Sequence, residues 1–416
     1  MGGAMTAAAI PGSADLVRQL RRTQRRQQWR AAALTAPLLL FLLVFFLVPL
    51  GSLLVRAVEN PEVADTLPAT ARALADWDGR AAPPAAAYAA IAADLGALSE
   101  TAQAGALARR LNSEVPGARS LVMGTYRAVR EWSAPPADVR QALLELDPRW
   151  GEMSYWQAIA KNTQRWTPDY LLAALDMRRS LDGTIERIPP EEAVFSQILW
   201  RTFEISAVVT LVALLMAYPL AYWLSTLPER RANLMLILVL LPFWTSVLVR
   251  IAAWIVLLQN NGLINHGLQT VGLIDEPLPL LFNRTGVIIA MVHILLPFMI
   301  LPLYSVMKTV PANYLRAAVS LGSHPLAAFV RVVLPQTYPG VAAGSLLVFI
   351  TSIGYYVTPA LLGGASDQML SYYVAQYTNV EVNWGMACAL GAVLLAATLV
   401  LFVFYRRVAR GGLSLG

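Results

Sequence analysis

The chain has one cysteine, Cys388, in 416 residues, so no intrachain disulfide can brace it. That cysteine falls inside an apolar run and carries no information about redox compartment. Histidine is nearly as scarce: His266, His293 and His324 stand singly, without metal-ligand spacing, and no metal site is expected. Only 14% of residues are charged against 57% hydrophobic, which excludes an ordinary water-soluble globule and points to a membrane protein. There is no glycine-rich phosphate loop followed by Lys and Ser or Thr, no nucleophile elbow and no metal pair. The chain is therefore not expected to be an enzyme or to bind a cofactor of its own. A formal charge of +6 would suggest nucleic acid in a soluble chain. Here the arginines flank apolar runs, where membrane topology explains them, and no nucleic-acid binding is expected.

Apolar runs near the roughly 20 residues that cross a bilayer are plentiful. They lie at Ala31 to Val55, Phe203 to Leu224, Leu234 to Leu257, Thr285 to Val306, Val341 to Leu362 and Trp384 to Tyr405, predicting an all-α polytopic protein with six transmembrane helices. The first run exceeds the apolar part of a signal peptide and suits a retained span. Arg18, Arg21, Arg22, Arg25, Arg26 and Arg30 precede it and hold the N-terminus in the cytoplasm; the same run of charge could meet anionic lipid. Arg230-Arg231, then Lys308, Arg316 and Arg331, then Arg406, Arg407 and Arg410 fall on that same side, so both termini are expected inside. The loops at Asp275-Glu276 and Asp367 fall opposite.

Residues 59–195 break the pattern, holding 19 of the 26 acidic residues against 14 basic ones and no run able to span. Helical windows at Ala85 to Leu98, Thr101 to Leu111, Pro136 to Leu146 and Thr167 to Met177 predict a small helical domain outside the membrane, inserted between helices 1 and 2. The expected organisation is a basic segment 1–30, a first helix 31–58, the insert 59–195, a core 196–410 carrying a cytoplasmic loop 308–338, and a tail 411–416.

Within that loop, Arg316 to Pro335 cannot cross a bilayer although apolar spans flank it. Ala317-Ala318, Leu321, Leu326, Phe329 and Val330 recur at helical spacings. Gly322 is expected to end this helix in the left-handed conformation, Ser323 to N-cap a second short helix with Pro325 in its first turn, and Leu334-Pro335 to stop it. An amphipathic loop lying on the bilayer surface fits the periodicity as well.

The pattern formed by Ala317, Ala318, Gly322, Val332, Leu334 and Pro335 resembles the signature loop of inner-membrane permease subunits from binding-protein-dependent ABC importers. Arg316 stands where that family usually has Glu. The resemblance implies a type I ABC-importer permease architecture and a coupling helix, with His324 and the residues around it, docking on a separate ATPase. It also implies two ATPase subunits that use ATP, a second permease, a periplasmic solute-binding protein and a bacterial inner-membrane location. Leu241 to Trp254 and Tyr355 to Gly364 resemble the spermidine/putrescine branch, which implies a small cationic substrate. Related permeases carry amino-acid-like compounds or phosphonates. A membrane-anchored sensor would need an output domain, which is missing, and an ion-driven carrier more intramembrane acids than Glu204.

A cation path wants aromatic faces and a few acids, and Glu204, Trp244, Trp254, Tyr355 and Tyr356 qualify. Arg250 needs a partner, because charge within a bilayer costs about 2.5 kcal/mol or more. Either Glu204 supplies it from a comparable depth, or Glu204 pairs with Arg201 and Arg250 snorkels. Pro297, Pro302 and Pro359 mark candidate kinks.

Overall fold

A computed structural model describes residues 23–24, 29, 33–180 and 183–413. The expected basic segment, with Arg18, Arg21, Arg22, Arg25, Arg26 and Arg30, lies outside the described residues, as do the last three residues of the 411–416 tail. Among the described residues six helices are long and apolar enough to cross a membrane: Ala33–Arg56, Phe195–Thr226, Val247–Thr270, Arg284–Thr309, Pro325–Ile353 and Trp384–Arg407. They are called the first to sixth spans below.

Two of the six differ from the expected positions. The run Leu234 to Leu257 is broken, because Glu229–Leu240 passes into a tight turn at Leu241–Trp244 and helix resumes only at Val247–Leu258. Pro242 in that turn lacks the N–H a continuing helix needs, whereas its neighbours Leu241, Phe243 and Trp244 are apolar and keep the hydropathy high across the break. The fifth span starts earlier than Val341 and ends at Ile353; Gly354 to Tyr356 leave the helix before the short Val357–Leu362. Leu334-Pro335 therefore opens a helix instead of stopping one. A π-turn at Phe329–Val333, closed by the Leu334 N–H on the Phe329 carbonyl, admits the proline by widening the ring that its missing donor would otherwise break. The first span repeats the device, with a π-turn at Leu43–Leu47 just before Val48-Pro49. Pro297 and Pro302 lie inside an unbroken fourth span.

The core of spans two to five is built on small residues. Ala213, Ala217 and Ala221 recur every fourth residue on the second span and are fully buried, letting the fourth span approach closely. Gly340 and Gly344 do the same for the fifth span. A Cβ at Gly344 would stand 2.8 Å from Met299 Sδ and 3.2 Å from the Met299 carbonyl, and one at Gly340 would stand 3.0 Å from Val306 Cβ.

The insert has a core of its own around Tyr88, Trp150 and Trp156, with the two indoles 5.3 Å apart. Their polar atoms are satisfied: Trp150 Nε1 donates to Thr125 Oγ1 at 2.9 Å, and Trp156 Nε1 to the Trp150 carbonyl at 2.8 Å. Ala85–Ala97 and Thr101–Asn112 match the expected helices. The third helix is Val139–Leu146, capped by Asp138, because Pro135-Pro136 only leads into it. The window Thr167 to Met177 holds just Asp169–Ala173 before a hairpin of Met177–Arg179 with Ile185–Arg187. Ala118–Glu131 and Met153–Lys161 are helices the pattern did not show. Entry and exit are tied together where Asn60 N–H donates to the Arg165 carbonyl at 2.7 Å and Thr167 N–H to the Val58 carbonyl at 2.8 Å.

Asp176 joins the insert to the second span. Its backbone is left-handed, at φ 56°, and its carboxylate accepts the N–H groups of Val194, Phe195 and Ser196 at 2.7–3.1 Å, satisfying the free end of a 32-residue helix. Burial pushes the carboxyl up, but the donors of Ser196, Phe195 and Val194 outweigh it and hold the group below the usual carboxylate range. A depressed folded value stabilises above the unfolded value and is lost as pH falls through the folded one. Asp176→Ala is thus expected to cost about 1 kcal/mol at pH 7, with a difference in melting temperature from wild type that shrinks below about pH 4. Thermal unfolding in detergent across that range checks it; a difference that persists at pH 3 refutes it.

Candidate functional site

The loop after the fourth span forms a helix, Ala312–Ser320, that begins earlier than Ala317. Gly322 ends it at φ 91°: Ser323 N–H reaches back to the Ala318 carbonyl at 3.1 Å and Gly322 N–H to Val319 at 3.0 Å, so the last carbonyls are satisfied by a chain reversal that needs a left-handed residue. The next helix, Pro325–Ala328, is capped by His324, whose Nδ1 accepts the Leu326 N–H at 3.3 Å. Ser323 does not cap it, because the residue before a proline is the one held out of helical geometry. Val332 lies in the π-turn and Leu334-Pro335 start the membrane helix. Leu321 and Leu326 are 89% and 70% exposed, leaving an apolar tip uncovered by the described residues. Arg316 is exposed and makes no hydrogen bond or ion pair among the described residues.

This loop is fastened to the second span. The Phe329 ring stands edge-on to Tyr222 at 5.1 Å and to Tyr218 at 6.3 Å, and the Tyr218 hydroxyl bonds Thr337 Oγ1 at 2.9 Å. Phe329 was visible in the sequence only as one apolar position of a loop; its partners lie more than a hundred residues upstream.

At the far end of the second span, Glu204 pairs with neither expected partner. Arg284, the first residue of the fourth span, donates to it at 3.0 Å and to Asp367 at 3.3 Å. Arg201 instead donates to the Ser366 carbonyl. The two arginines thereby clamp the second span, the fourth span and the turn at Ala365–Asp367. No sequence spacing reports this, because Arg284 is 80 residues from Glu204.

Trp254 stands edge-on to His293, with ring centroids 5.4 Å apart. Trp254 Nε1 donates to His293 Nδ1 at 3.2 Å, and Trp254 and Tyr355 both pack against the core of the spans. Arg250 Nε and Nη1 are buried without a hydrogen-bond partner among the described residues, so this guanidinium is neither paired with Glu204 nor free to snorkel through those atoms. Trp244, 89% exposed, and Tyr356 stand on open surface.

A membrane core with an apolar-tipped loop bolted to one end of a span and an ionic clamp at the other is the setting for the comparisons with known proteins. Residues 201–411, half of the chain, match the family of binding-protein-dependent transport system inner membrane components. The chain belongs to that family. It is similar to the spermidine/putrescine transport system permease protein PotB of Haemophilus influenzae, at 38% identity over 51% of this chain and 75% of that one. The PotB of Escherichia coli K12 is 34% identical over 55% of this chain and 82% of its own. Among solved structures, a bacterial ABC transporter importing the acidic polysaccharide alginate superposes with a TM-score of 0.44 at 17% identity, covering 52% of this chain and 79% of that one.

As an ABC-importer permease subunit, the chain is a multi-pass inner-membrane transport component and not an enzyme. The permease's clamp gives a test of this end of the second span. Asp367 is buried, and among the described residues its carboxylate meets, besides Arg284, only the Gly364 N–H at 3.2 Å. Arg284→Ala is expected to destabilise by about 1–3 kcal/mol by orphaning Asp367, whereas Glu204→Gln, at a half-exposed site, costs much less. Melting of the two variants in detergent decides; equal losses contradict it.

Proposed function

We propose that the permease forms one side of a path for a small cation of the polyamine class, and that the loop 308–338 transmits the action of a separate ATPase to it. The observation that carries the substrate is the identity to spermidine/putrescine permeases across three quarters or more of their length. Trp254 and Tyr355 supply aromatic faces for a cation, and the half-exposed Glu204 supplies an acid. The apolar tip at Leu321 and Leu326, with Gly322 between them, supports docking on the ATPase. Two such ATPases, a second permease of different sequence that closes the path, and a periplasmic binding protein complete the machine in this reading. ATP is used by the ATPases.

The loop charges at Arg230, Arg231, Arg316, Arg331, Arg406 and Arg407 support a cytoplasmic loop and cytoplasmic termini, with the insert 59–195 in the periplasm. Alternating access follows as a population shift between inward- and outward-open states, biased by closure of the ATPases on the loop. The test is uptake of labelled spermidine into proteoliposomes holding the permease with its partners. Uptake competed by putrescine is expected; competition by an amino acid or phosphonate, with none by putrescine, overturns the substrate.

A further inference from the structure

A cavity of about 600 Å³ lies between the insert and the start of the sixth span, away from the loop, the clamp and the Trp254–His293 pair. Its charges are unevenly matched. Arg56 is held by Glu62 at 2.5 Å, and Arg110 by Glu114 at 2.9 Å. Arg109 and Arg119 also line it and have no carboxylate partner among the described residues, and Glu381, also lining it, has no cation partner among them. Four arginines and two glutamates line the cavity, so a surplus of two positive charges faces it.

Tyr170 shows that the site is built. Its side chain is 5% exposed, its ring lies against Gly385 of the sixth span, and the Arg110 guanidinium stands 4.7 Å over the ring centroid. Its hydroxyl bonds nothing among the described residues, and Tyr170 lines the cavity. Burial pushes that hydroxyl up to about 12 against the opposing pull of Arg110, so it is a neutral donor at any physiological pH. Trp384, the first residue of the sixth span, forms part of the same wall. Tryptophan at a span end marks the headgroup level of a bilayer, so the cavity sits at that depth on the side of the insert.

We propose that this cavity binds the phosphate of a phospholipid headgroup, with Arg109, Arg119 and the Tyr170 hydroxyl as donors, and that the bound lipid ties the insert to the sixth span. The surplus draws the negative charge of a phosphodiester, and the headgroup depth marked by Trp384 favours a lipid phosphate over a free one. The guanidinium groups suit phosphate oxygens by geometry as well as charge.

Native mass spectrometry of the purified full chain, incubated with phosphatidylglycerol in detergent, tests this. Wild type is expected to retain one lipid under collisional activation. Arg109→Gln with Arg119→Gln is expected to lower its occupancy about tenfold or more, and Tyr170→Phe, which keeps the buried ring, about threefold. Arg119 is exposed, so Arg119→Gln alone keeps the fold and still weakens binding. Equal retention by wild type and the double variant overturns the site. Inorganic phosphate that raises the melting temperature of wild type alone, with lipid retention unchanged, overturns the lipid in favour of a free anion.

Discussion

Gly322→Val is expected to reduce uptake by at least about tenfold while leaving the permease in the membrane at wild-type levels. Nothing lies within 4 Å of a Cβ built at Gly322, so the substitution meets no clash. The damage comes through the backbone: φ is 91°, and a side chain there costs about 1–2 kcal/mol, more when it is β-branched. The reversal that satisfies the carbonyls of Ala318 and Val319 is lost, and with it the direction in which Leu321 and Leu326 are presented. The spans do not depend on that turn, so insertion survives. Gly322→Asn, a residue that tolerates left-handed geometry, is expected to keep much of the activity. Uptake and ATP hydrolysis measured on the assembled transporter separate the outcomes. Wild-type transport by the valine variant would remove the loop from the coupling role.

Gly344→Leu is expected to act on the fold instead. Its Cβ alone would press on Met299 Sδ at 2.8 Å and on the Met299 carbonyl, and backbone cannot yield as a side-chain tip does. Overpacking of a tight seam costs about 1–3 kcal/mol and more when a whole isobutyl group must fit between two helices. Membrane-inserted but protease-sensitive protein, with a lowered melting temperature, is the expected result. Gly340→Leu should behave alike, since its Cβ meets Val306 and the Pro302 carbonyl. Gly391 on the sixth span has no atom within 4 Å of a built Cβ, so Gly391→Ala serves as the tolerated control. Normal melting of Gly344→Leu would mean that the fourth and fifth spans are not held together at this seam.

The two glycine sites differ in how far they could be read in advance. Gly322 was legible because a left-handed cap is a local property: a glycine closing an Ala-rich helical stretch, before Ser-His-Pro, needs no knowledge of distant residues. The spacing of Gly340 and Gly344 is equally plain in the sequence, but which helix they admit is not. The same limit governs charge. Glu204 and Arg250 were both recognisable as residues that need company, yet the clamp joins Glu204 to Arg284 and leaves two Arg250 nitrogens buried without a partner. Span limits fell between these cases. Hydropathy found six crossings, but it averages over the break at Leu241–Trp244, where the residues remain apolar while the helix stops.

By itself the sequence determined what short stretches of chain can know about themselves: membrane residence and the number of crossings, the charge asymmetry of the loops, the left-handed turn at Gly322 and the separate, acid-rich character of the insert. Only the tertiary structure decided that Phe329 grips Tyr222, that Arg284 spans Glu204 and Asp367, that Asp176 caps the second span, and that Tyr170 lies between Gly385 and the Arg110 guanidinium. The physical reason is range. Transfer into a bilayer and backbone conformation are set by a residue and its near neighbours, whereas ion pairs, ring contacts and close helix approach reach only a few ångströms and must wait until folding brings distant segments together.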